Sequence, residues 1–515
     1  MKQIDSKAYI LPADFPDLDV IRVGDVYYMV STTMHFMPGC VILRSYNLVD
    51  WEHAAYVYDE LEETPGQTLQ DNKGVYGKGM WAASLRFHDG KFYVSFVAND
   101  THKTYLYTSK KIEGPWHKQN IQGFYHDMSL LFDDDGRVYC VSGNMQIHLT
   151  ELEKDLSGPK KGGVDKVIIQ DDPEKVILGY EGSHFYKINN KYYVFLIHMP
   201  KGKMRTEACF VSDKIEGPYT GADVLCSDLA DWNSGVAQGG IVQATDSSWY
   251  GILFQDHGAL GRIPVLVPVE FKNDFPVFGK DGIAPETVSV IDNKPGYKYK
   301  PLFSNDFTDA AWQWNHIPDK KLVHVRARSF SVTTGKVCKN LIQAQNTLTQ
   351  RTFTEHCSGS VVLDFSKLNE GDVAGLGALE GEYGFAGITK KGGKFYLILA
   401  EHKIPYSPWS MGVYDDEKPI IIEEKEILEL GGDVISGDKI KLKAVFSLEH
   451  QNENVQFAIY DNGQKKFFDF ARPVKLRYTL DQFVGVRFAL FMYSTVQSGG
   501  SAVFSDFELK LLGKN

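Results

Sequence analysis

Five side chains in the first half of the chain recur at one place in a repeated pattern. Asp17, Trp81, Asp127, Glu181 and Gln238 each stand about ten to twelve residues ahead of an aromatic-led strand pattern. Three of the five are acids. One acid near a strand start is ordinarily a solvated surface group. Three at one repeated position converge, repel one another and are costly unless chemistry needs them. The chemistry that needs them is hydrolysis of a glycosidic bond. One carboxylic acid protonates the leaving oxygen, a carboxylate activates a water on the other face of the ring, and a third raises the acid's pKa. Acids contributed by different repeats leave room for that water, which favours inversion over a covalent intermediate. A structural cation site is the other use for such a ring of carboxylates.

The repeat itself is legible five times. Val20 to Val30 writes an apolar strand, a Gly24-Asp25 turn and an aromatic-led second strand. Leu85–Val94, Leu130–Tyr139, Phe185–Val194 and Ile241–Tyr250 write it again. Asp-Gly, Gly-Asp and Asn-Asn between β-formers are hairpin signals. A second motif recurs further along each unit, in Ser45–Trp51, Ser109–Trp116 and Ser212–Tyr219. Spacing of roughly 45–65 residues suits four-stranded blades, so five units predict a five-bladed β-propeller. Blade equivalence then places the five side chains around one mouth of the central channel.

The repeat ends near Pro268, and the turn-rich stretch from Asn273 to Gly296 reads as a linker. Beyond it short strand patterns alternate with Gly and Asn turns, about 210 residues in all, the size of a two-sheet sandwich or jelly roll. The expected fold is therefore all-β, with a propeller over residues 1–290 and a β-sandwich over 300–515. A net charge of −11 and the lack of a basic run argue against nucleic acid and anionic membranes. Aromatics at 13% suit strands and flat sugar faces. The six scattered cysteines read as free thiols, and Met1–Asp5 lacks the apolar core of a signal peptide, so a cytoplasmic location is expected. No stretch is long enough to span a bilayer, and oligomeric state is not legible.

The motifs resemble those of glycoside hydrolase family 43. They are Leu11-Pro12-Ala13-Asp14-Phe15-Pro16-Asp17, Met80-Trp81-Ala82-Ala83-Ser84-Leu85-Arg86, His126-Asp127-Met128-Ser129-Leu130 and Glu181-Gly182-Ser183-His184-Phe185-Tyr186. The resemblance implies Asp17 as general base, Asp127 as pKa modulator and Glu181 as general acid. Trp312–Pro318 and Leu341–Thr352 resemble the C-terminal concanavalin-like sandwich of the family's xylosidase and arabinofuranosidase branch. Arg262 in Gly261-Arg262-Ile263-Pro264 resembles the arginine that contacts the sugar, and Phe36 and Trp81 the aromatics lining its pocket. Two departures stand out. Ala83 replaces a frequent proline. Gln238, expected at the substrate, replaces an axial His that helps relatives hold a central cation. Nearby His257 could hold an axial calcium or touch the sugar. The chemistry itself needs no cofactor.

The resemblance implies an inverting, exo-acting α-L-arabinofuranosidase that removes arabinose branches from arabinoxylan or its oligosaccharides. A β-D-xylosidase acting on xylo-oligosaccharides is the alternative. A catalytically silent carbohydrate-binding propeller is the reading from another class. The sandwich is expected to close one side of the pocket rather than to bind polysaccharide.

Overall fold

The computed structural model describes residues 2–404, 415–430, 433–479 and 482–513. Five four-stranded antiparallel sheets follow one another along the chain, each built from a contiguous segment. Their first strands are Asp19–Val23, Met80–His88, Ser129–Phe132, Val176–Ile188 and Val236–Gln243. These strands neighbour one another around the axis. Each blade then runs outward to its last strand, at Glu52–Tyr58, His117–Ile121, Asp165–Gln170, Thr220–Leu225 and Phe275–Phe278. The hairpins turn where the sequence said they would. Asn189 and Asn190 both take positive φ, at 50° and 63°, as the right-twisted two-residue turn requires.

The surplus of aromatics is spent between blades. Phe96 stacks among Tyr58, Tyr105 and Tyr107, gluing blade two to blade one. The supposed linker is a correction. Phe275–Phe278 is the outer strand of blade five, and Thr287–Asp292 pairs with the N-terminal strand Lys2–Lys7. Pro276 is tolerated because an edge strand needs no donor on its outer side. Strands this short between turn residues leave too few alternations to declare a period.

The second domain is a sandwich of two antiparallel sheets. One contains Asp372–Leu379, Tyr383–Lys391, Lys394–His402 and Arg487–Ser494; the other contains His356–Asp364, Lys439–Ser447, Asn454–Asp461 and Ser501–Leu511. The two domains share a sheet. Phe36–Met37, a two-residue strand inside blade one, pairs with Asn315 and Trp314 at the edge of the first sheet. Val486 N donates to Ala259 O at 2.8 Å and Arg351 Nε to Asp14 O at 2.8 Å, so the seam runs beside the loop carrying Asp17.

Candidate active site

The five equivalent positions are all places where regular strand geometry fails. Asp17, Asp127 and Gln238 take positive φ, at 52°, 48° and 56°. Trp81 lies inside the register shift between Met80 and Ala83, and Glu181 sits between two shifts in its strand. Bulges and left-handed residues re-aim side chains that a flat strand would send into a blade interface. Here they turn five side chains into one cavity of about 520 Å³.

Asp17 is nearly buried and its Oδ1 accepts from Arg262 Nη1 at 2.7 Å. Burial raises its pKa, Arg262 opposes this, and Asp127 adds to the rise. Asp127 is as deeply buried, and its Oδ2 accepts from Gly182 N at 3.0 Å. Burial and then Glu181 push the Asp127 pKa up, against the pull of His126. Glu181 Oε2 accepts from Asn144 Nδ2 and lies 3.4 Å from His126 Nε2. One polar atom from each of His126, Asp127 and Glu181 falls within 4.8 Å of the others. Asp127 and Glu181 thus lie together beside His126, while Asp17 stands in its own ion pair.

Arg262 is held by more than Asp17. Its Nη2 donates to Phe483 O at 3.1 Å, its guanidinium lies 4.4 Å from the Phe483 ring centroid, and its backbone N donates to Asp14 Oδ1. Gln238 joins the cavity wall with its own backbone N bonded to buried Glu207 at 2.7 Å. Trp81 forms another wall, its Nε1 donating to Gly77 O at 3.1 Å.

Two expected residues lie elsewhere. Phe36 is fully buried behind the cavity wall, under the Arg487 guanidinium at 3.5 Å, because its backbone is a strand of the domain seam. His257 stacks on Trp232 at 4.4 Å, with Tyr9 edge-on at 4.9 Å, and does not line the cavity. Burial lowers its pKa to about 3, as suits a packed neutral ring.

The residues on the axis do not fit a calcium ion. Below the cavity, Arg86 bonds Asp19 Oδ2 at 2.6 Å, Ser129 Oγ at 2.6 Å and Leu130 O at 2.8 Å, with its guanidinium 5.3 Å from the Tyr186 ring centroid. Tyr186 in turn accepts from Ile241 N at 3.0 Å. All five blades contribute to this cluster, and the positive charge at the centre is the protein's own. His184 has its ring nitrogens 3.0 Å from Gly182 O and 2.9 Å from Leu18 O.

Several wall residues gave no sequence signal. His126 adjoins Asp127, and Asn144 ends a Ser-Gly-Asn turn; both were visible as letters without a direction. Arg205, Phe254, Ile177, Leu178 and Met199 come from ordinary strand or loop positions. Phe483 comes from the sandwich, more than two hundred residues beyond Arg262, and no repeat could have indicated it.

A propeller whose axial cavity holds an ion-paired carboxylate and two carboxylates beside a histidine, roofed by a sandwich residue, defines a class of glycoside hydrolase. The sequence model described as Glycosyl hydrolases family 43 matches residues 7–276, and the chain belongs to that family. Residues 301–510 match the model described as Beta xylosidase C-terminal Concanavalin A-like domain. A "Beta-xylosidase" of Formosa agariphila is 29% identical over 350 residues, 60% of this chain and 58% of that protein. A "Non-reducing end alpha-L-arabinofuranosidase" of Bacteroides ovatus is 29% identical over 304 residues, 55% of each chain. The chain thus spans less than two thirds of the length of these relatives. Among solved structures, a protein described as "Bifunctional GH43-CE" from Bacteroides eggerthii superposes with a TM-score of 0.87 at 37% identity. That match covers 100% of this chain and 64% of the other.

Proposed function

We propose that this chain is an inverting, exo-acting glycosidase that releases single pentose units from xylan-type carbohydrate. Terminal α-L-arabinofuranosyl branches of arabinoxylan or its oligosaccharides are the first substrate. The observation that carries this is the cavity itself: three carboxylates in distinct settings, with the channel beneath them filled by Arg86 and its partners. A pocket closed from below admits sugar from one mouth only, which suits a chain end or a branch.

Each carboxylate suits one role. Asp17, buried and paired with Arg262, which opposes the rise that burial gives its pKa, takes a proton from the attacking water. Glu181, in the cavity wall beside Asn144, gives a proton to the leaving oxygen. Asp127, buried between His126 and Gly182, holds negative charge next to Glu181 and tunes its proton affinity. Both steps are written with this chain's own side chains, and Arg86 supplies positive charge beneath the cavity.

A second reading, β-D-xylosidase action on xylo-oligosaccharide ends, has its own support. Relatives bear both the xylosidase and the arabinofuranosidase names, and the sandwich matches a xylosidase domain. The experiment is product analysis on arabinoxylan oligosaccharides and on xylobiose, with Glu181→Ala as control. Arabinose release that depends on Glu181 supports the first reading, and xylose release from xylobiose the second. No sugar from either substrate would overturn both.

A further inference from the structure

The proton on Glu181 has a second holder within reach. His126 shares a loop with Asp127, and its ring turns toward blade four. Nε2 lies 3.4 Å from Glu181 Oε2 and 3.6 Å from Asp127 Oδ2. Trp81 packs against the ring at 5.6 Å and 61°, fixing its plane, while 20% of the side chain remains open to solvent. Asn144 Nδ2 donates to the same Oε2. Oε2 thus faces His126 and Asn144, where a proton can pass between the ring and the carboxyl.

The charges around His126 are lopsided. Burial disfavours its cation, but Asp127 beside it, Glu181 opposite and Asp17 from blade one outweigh that and raise its pKa to about 9. The two cations of the cavity are already engaged, Arg262 with Asp17 and Arg205 with Asp256. An imidazolium against the general acid is at first sight unhelpful, because it favours the ionised carboxyl. It becomes useful if the two groups hold one proton between them.

We propose that His126 is the proton-holding partner of the general acid: its Nε2 and the Glu181 carboxyl share one proton, which reaches the leaving oxygen through Glu181 and is restored from solvent through the imidazole. The inference rests on Glu181 being the acid. As the glycosidic C–O bond breaks, its electron pair stays on oxygen and takes the shared proton from the Glu181 carboxyl, leaving the imidazole neutral. The imidazole then takes a proton from water at Nε2 and shares it with the Glu181 carboxylate. Asp17, protonated by the attacking water, returns a proton to solvent, so the count closes. His126 touches no reacting atom and is a positioning residue.

The test is the pH profile of kcat/KM for His126→Gln and His126→Ala on the oligosaccharide the enzyme cleaves, beside a 4-nitrophenyl glycoside of the same sugar. In the native enzyme the alkaline limb reports loss of the shared proton. In both variants that limb should move at least about one pH unit lower on the oligosaccharide, with a roughly tenfold or larger fall in kcat, and change less on the nitrophenyl glycoside, whose leaving group needs little protonation. Added imidazole should restore part of the rate of His126→Ala. A drop of equal size at every pH, with the limb unmoved, would reduce His126 to packing and overturn the inference. Glu181→Gln separates the two readings. Full activity there ends both, whereas its loss beside an unmoved His126→Gln limb ends only this one.

Discussion

Arg262 both orients Asp17 and opposes the rise that burial gives its pKa, and the two roles can be separated by substitution. Truncation to Ala leaves a buried carboxylate without its counter-charge, which costs several kcal/mol unless Asp17 takes up a proton. In the proposed role Asp17 acts as base only when ionised, and Arg262 lowers a pKa that burial has raised. Arg262→Ala should therefore move the acidic limb of the kcat/KM profile to higher pH, with activity down about a hundredfold or more. Arg262→Lys keeps a charge but not the fork. Its acidic limb should stay closer to the native position while KM rises. A pH-rate series on the three proteins checks both outcomes. At this scale the sequence exposed the acids and hid their surroundings. Asp17, Asp127 and Glu181 were legible because a repeat put them in register. Phe36 and His257 were misread because an aromatic near a site can line it or stand behind it, and adjacent letters do not give direction.

At the scale of elements, irregular backbone aims the site. Gly182, directly after Glu181, has a φ of 65°, and a Cβ there would lie 2.7 Å from Gln238 Cγ. Gly182→Ala should displace Glu181 or Gln238 and store about 1–2 kcal/mol of left-handed strain. At least a tenfold loss of kcat is expected while the far-ultraviolet circular dichroism stays native; an unchanged kcat would show that the acid does not depend on this turn. The axial cluster makes a second element-scale prediction. Chelator should leave activity unchanged, because the Arg86 guanidinium already supplies positive charge between Asp19, Ser129 and Leu130 on the axis. Arg86→Ala should destabilise the fold by roughly 3–5 kcal/mol by stranding buried Asp19, a loss that denaturant titration would register. The blades were predictable because period-two strands and turn dipeptides repeat. The bulges were not, since a one-residue register slip leaves composition unaltered.

For the whole molecule, the sandwich is part of the active site and not an appendage. Phe483 lines the cavity, lies under Arg262 and beside Trp81 at 5.9 Å, and Gly485 N bonds Asp14 Oδ2 at 3.0 Å. Phe483→Ala should lower kcat/KM by one to two orders of magnitude, chiefly through KM, by removing apolar wall and loosening Arg262. An unaltered KM would mean that the sugar does not reach that wall. The two-domain order was legible from the end of the repeat and the size of the remainder. The weld was not, because Phe36–Met37 and Trp314–Asn315 meet across a sequence separation that carries no local pattern. The central claim, single displacement by water with Asp17 as base and Glu181 as acid, is tested most directly by time-resolved proton NMR of the first sugar released. Inversion predicts β-L-arabinose from an α-L-arabinofuranoside, or α-D-xylose from a β-D-xyloside, before mutarotation. First appearance of the retained anomer would contradict the account and require a covalent intermediate on one of the three carboxylates.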